Sequence, residues 1–97
     1  MKYQVILMDG PNEPWWFFEN WQDDIIWEQS FATLQDARKC YREKYQELAM
    51  KYSNIREKNL YQVAFWDNSE LYYCDDCDDE TQLYHGLLIT ENGTAIK

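Results

Sequence analysis

Cys74-Asp75-Asp76-Cys77 is the one constellation in this 97-residue chain with the spacing for metal or redox chemistry. A Cys-x2-Cys pair supplies half of a tetrahedral zinc site, which asks for four nitrogen or sulfur ligands. His85, the sole histidine, and Cys40 are the side chains that could complete it, so zinc held by Cys74, Cys77, His85 and Cys40 is one reading. The preferred alternative is a chain without cofactor, in which two thiols end a strand. Thioredoxin-like chemistry is disfavoured. A reactive thiolate needs cations or a helix N-terminus, whereas Asp75, Asp76, Asp78, Asp79 and Glu80 raise a thiol pKa by like-charge repulsion. The same acidic run lacks the spaced ligands and turn glycine of a calcium loop. It reads as a solvated turn that blunts a sheet edge.

Catalytic patterns are otherwise missing. His85 has no serine or thiol beside it in sequence, and neither a glycine-rich phosphate loop nor a metalloprotease helix motif is present. The reading leans to a non-enzymatic protein. The second unusual feature is aromatic: Trp15, Trp16, Phe17 and Phe18 follow Pro14, with Trp21 and Trp27 close behind. In a strand these rings alternate between two faces. Either loops and a terminal hairpin cover the second face, or Trp15, Trp16, Phe17, Phe18 and Trp21 form a surface for a protein partner or a second copy of the chain.

Charge restricts the partner. Eighteen acidic and nine basic residues give a net charge of −9, which opposes long-range attraction to a phosphate backbone. Seven of the nine cations fall within residues 36–58, and aromatic rings can stack unpaired bases, so weak single-stranded nucleic-acid binding is an alternative. Glu43, Glu47 and Glu57 interrupt those cations, and an ion-paired, solvated helix face accounts for them better. No run reaches the roughly 18 to 20 apolar residues of a membrane span, and the start has no small-residue cleavage site. The expectation is a cytoplasmic protein without membrane association.

The elements that must position these residues follow from periodicity. Leu34, Ala37, Tyr41, Tyr45, Leu48 and Tyr52 recur in steps of three and four, which predicts an amphipathic helix over about 33–52. Thr33 is the expected N-cap, with Asp36 in the first turn. Tyr3 to Met8 reads as a strand, and residues 60–74 as an antiparallel hairpin around Asp67-Asn68-Ser69. Asn92-Gly93 predicts a second hairpin near the end. Residues 14–28 admit two readings: a helix begun by Pro14, or strands turning at Asn20, which are favoured. The predicted architecture is α+β: one domain over residues 1–97, with a single antiparallel sheet and one long helix on one face.

Glu13-Pro14-Trp15-Trp16-Phe17-Phe18-Glu19-x-Trp21, Phe65-Trp66-Asp67, and Cys74-x-x-Cys77-Asp78 followed by Gln82 and Tyr84-His85 together resemble a bacterial domain of unknown function family, ten thirty-three. The likeness covers nearly the whole chain. Asn20 stands where glycine is expected in that family, and both residues suit a left-handed turn. The resemblance implies small cytoplasmic proteins of Gram-positive bacteria without an established activity. Some members carry a DNA-binding label, which a charge of −9 opposes.

Overall fold

A computed structural model describes residues 2–10, 14–16, 21–74 and 79–95. Strands β1 (Tyr3–Gly10), β2 (Ile25–Phe31), β3 (Asn54–Asn59), β4 (Gln62–Trp66), β5 (Leu71–Cys74), β6 (Asp79–Gln82), β7 (Tyr84–Glu91) and β8 (Thr94–Ala95) surround one helix, α1 (Leu34–Lys51). The main sheet runs β2-β1-β7-β4-β3, with β8 paired to the end of β7. Every pairing is antiparallel. The α+β architecture is therefore that of the sequence prediction, with a second, two-stranded sheet of β5 and β6 added.

Register explains the core. Leu87 lies opposite Leu7 and Val63, and His85 opposite Asp9 and Phe65. Alternation then places Val5, Val63, Phe65, Leu87 and Ile89 on one face, where they bury against Ala37 and Tyr41 of α1. Ile6, Met8 and Leu88 occupy the other face and pack with Trp21 and Ile25. Because β1 and β7 are covered on both sides, they read as near-continuous apolar runs instead of alternating ones.

The helix begins as its sequence requires. Thr33 is the N-cap, its Oγ1 accepting from the Asp36 amide at 3.2 Å, and Tyr52 closes the last turn by donating its N–H to Leu48. Asn92 and Gly93 both adopt positive φ, 52° and 80°, the backbone of a type I′ turn between β7 and β8.

Two expectations are corrected, and one strand is additional. Residues 60–74 do not form one hairpin: β4 pairs with β3 and β7, while β5 leaves the sheet and pairs with β6. A short turn between apolar strands indicates that the chain reverses but not which edge it rejoins. Here β7 takes the place beside β4. The strand β3 went unrecognised because Asn-Ile-Arg-Glu-Lys-Asn has almost no apolar alternation; it is an exposed edge held by β4. Pro14–Trp16 and Trp21–Asp24 are 3₁₀ turns, not strand, and the strand starts only at Ile25. Phe17 to Asn20 lie outside the described residues.

Pro14 is decisive for that segment. It is buried on the sheet face opposite α1, over Gly86, whose cross-strand neighbour is Ala64. Two small side chains side by side leave a notch for the pyrrolidine ring. A Cβ added at Gly86 would stand 2.7 Å from Pro14 Cβ, and neither backbone nor ring can yield cheaply. Gly86→Ala is expected to cost about 1–3 kcal/mol by overpacking, measured as a lower urea midpoint with an unchanged m-value.

Candidate functional site

The residues singled out by sequence fall in separate places. His85, at the start of β7, is only 6% exposed and points to the helix side of the sheet. Its Nδ1 lies 2.7 Å from Asp9 Oδ1 and its Nε2 3.1 Å from Glu70 Oε1. Tyr52, the helix C-cap, stacks on the ring with centroids 4.1 Å apart. A neutral imidazole has one N–H and donates to one of these carboxylates; an imidazolium donates to both. Both ring nitrogens thus face carboxylates of the same molecule. Asp9 faces His85 because they are register partners, and Glu70 arrives from the turn between β4 and β5.

That turn is tightly built. Asp67 accepts from the Ser69 amide and hydroxyl at 2.9 and 2.7 Å, which holds its carboxyl below the ordinary range. Gln82 Nε2 donates to the carbonyl oxygens of Asp67, Glu70 and Leu83. Glu70 and Gln82 thus fasten the base of the β5–β6 hairpin to the sheet. Cys74 pairs with Asp79 near its far end, and Cys77 lies outside the described residues.

Cys40 is not brought to His85. It sits in the first half of α1 beside a 370 Å³ cleft with Gln29, Phe31, Asp36, Lys39 and Glu43. Residues 40 and 52 are separated by about 18 Å of helix rise, and Tyr52 is the one stacked on His85. Burial and the nearby Glu43 and Glu47 push the Cys40 thiol up, against the pull of Lys44. Among the described residues, no three His, Cys, Asp or Glu side chains are grouped to hold a metal ion.

Four of the seven cations in residues 36–58 are engaged by aromatic rings. Arg38 lies over Tyr61, Lys44 over Trp27, Lys51 over Tyr52 and Arg56 over Trp66, with separations of 4.7 to 6.0 Å. Tyr45 packs edge-on against Phe65 and hydrogen-bonds Glu57, which with partial burial pushes its hydroxyl up to about 12.

On the opposite face, Trp15 is half-buried and Trp16 is 55% exposed beside the buried Pro14. Trp21 is half-buried against Ile6, Met8 and Leu88. The alternation of rings between two faces expected of a strand is therefore replaced by a 3₁₀ turn that buries Pro14 and presents Trp16.

A family model described as Protein of unknown function (DUF1033) matches residues 2–97. The chain belongs to that family. No curated protein and no solved structure matches it. The Trp-Trp, Phe-Trp-Asp and Tyr-His segments that carried the resemblance all lie within the matched DUF1033 span, and they occupy both sheet faces: Trp15 and Trp16 on one, His85 on the other. Sequence reasoning missed Asp9, Glu70 and Tyr52 around His85. The available signal was weak: Asp9 follows one apolar run and His85 precedes another, and only antiparallel register makes those ends meet.

Replacing His85 by Phe keeps a ring on Tyr52 but strands two carboxylates. The expected cost is about 1–3 kcal/mol, read by chemical unfolding at neutral pH, with faster amide exchange in residues 79–82. Tyr45 supplies a pH test. Its folded-state pKa is raised, so the folded form holds the phenol proton more tightly, and that stability is present below pH 10 and lost as pH rises toward about 12. Tyr45→Phe removes that part of the alkaline loss. Asp24 is pushed up by burial and by the charges of Asp23 and Asp9, so at neutral pH its ionised form is disfavoured in the fold. Asp24→Asn is expected to raise the melting temperature at pH 7 and to have no such effect near pH 3.

Proposed function

We propose that this member of the DUF1033 family is a non-enzymatic interaction module whose aromatic surface, centred on Trp16 and continued by Trp15 and Trp21, binds a protein. One observation carries the reading: Trp16 stands 55% exposed on a turn that the buried Pro14 fixes to the sheet. A rigidly mounted large ring loses little entropy on binding, which is why tryptophan dominates many interfaces. Phe17 and Phe18 adjoin it in sequence.

The other chemistries have less support. His85 is occupied on both nitrogens, and no described helix is long and apolar enough to cross a membrane. Four cations of residues 36–58 lie over rings of the same molecule, and the chain carries −9 overall, which weakens the case for nucleic acid. Zinc bound by Cys74 and Cys77 rests on their spacing.

The test compares crosslinked complexes formed in source-cell lysate by wild type and by Trp16→Ser, followed by titration of the purified partner. A partner captured by wild type, lost with Trp16→Ser and bound as tightly in high salt supports the reading. Capture that is indifferent to Trp16, or affinity that falls steeply with salt, overturns it. A zinc mass increment on the untagged protein that disappears in Cys74→Ser/Cys77→Ser would establish the metal reading instead.

A further inference from the structure

The two edges of the main sheet are treated differently by the sequence. At β3, Arg56, Glu57 and Lys58 occupy half of a six-residue strand, the charged composition that discourages pairing with other chains. At β2, seven residues, Ile-Ile-Trp-Glu-Gln-Ser-Phe, carry one charge, Glu28, and are hydrogen-bonded on one side only, by β1, among the described residues. Glu28, Gln29 and Ser30 are exposed. The register against β1 shifts at Ile26, so the regular stretch is 27–31, and a nearly uncharged regular edge is a template for strand addition. In a chain of −9 it is also where a second copy would meet the least repulsion.

We propose that the outer edge of β2 pairs antiparallel with β2 of a second copy of this chain about a two-fold axis, so that one continuous sheet spans both protomers. This surface is separate from the Trp16 turn and does not depend on the reading above.

The regular stretch 27–31 beyond the Ile26 bulge is centred on Gln29, and two further constraints agree with that centre. An antiparallel pair related by a two-fold axis keeps the same sheet face up in both copies, so facing residues must point to the same side. Pairing centred on Glu28 would set two carboxylates directly opposite each other, which is destabilising. Centring on Gln29 instead sets Gln29 against its own copy, Glu28 against the second copy's Ser30, and Trp27 against the second copy's Phe31. Aromatic pairs replace the like-charge contact, and the pattern is self-complementary.

A cleft lies beside this edge on the helix side. Gln29 and Phe31 line it from the strand, and Asp36, Lys39 and Glu43 from α1.

Native mass spectrometry of the untagged full chain tests this. Wild type is expected to show a dimer, whereas Gln29→Lys and Gln29→Glu, each alone, set like charges face to face and weaken dimerisation at least about tenfold. An equimolar mixture of the two is expected to restore a dimer of mixed mass. Amide exchange on wild type gives a readout that needs no variant: protection within residues 25–31 should rise with protein concentration. A wild type that stays monomeric as concentration is raised overturns the proposal. So does a dimer that survives both Gln29 variants, or one that dissolves with Trp16→Ser alone, which would assign the contact to the aromatic turn.

Discussion

The burial of β7 on both of its faces is the constraint from which the rest of the molecule follows. Residues 85–90 are all buried, with β1 along one side and β4 along the other supplying hydrogen-bond partners to the strand. A strand placed this way exposes no face to water, so something must cover each side. Helix α1 covers one. The other is covered by Pro14 and the segment that includes Trp21 and Ile25.

Small residues make that second cover work. Gly86 and Ala64 are cross-strand neighbours, and the notch between them admits the proline ring at a distance no β-carbon would tolerate. Fixing Pro14 fixes the direction of the chain after it. An exposed Trp16 beside a buried Pro14 is thus a consequence of how the sheet is closed, and it links core packing to the surface read here as a binding face.

The start of β7 carries a second consequence. His85 enters the helix-side layer where Asp9 ends β1, and Glu70 reaches it from the turn that launches the β5–β6 hairpin. One imidazole therefore ties together β1, β7, the C-terminal cap of α1 and the hairpin base. Hydrogen bonds to charged partners are stronger than neutral ones, and a partly buried ring stacked on Tyr52 keeps water from competing for them. Pairing of lysine and arginine with aromatic rings plays a comparable role on the helix side, where a cation's stem covers apolar surface while its head stays wet.

Local features determined much of this by themselves. The three-and-four spacing from Leu34 to Tyr52 fixed α1, Thr33 fixed its start, and Asn92-Gly93 fixed the last turn, because each depends on residues within a few positions of one another. The aromatic, cysteine and tryptophan motifs sufficed to indicate family membership. Tertiary structure alone decided which strands are neighbours. The polar β3 is a strand only because β4 offers it hydrogen bonds, and β5 turned to β6 because β7 occupied the edge beside β4. It also decided that His85 meets Asp9, 76 residues away, and Glu70 instead of Cys40. Contacts of that separation are set by sheet register and by the fit of a ring into a notch, neither of which leaves a periodic trace along the chain.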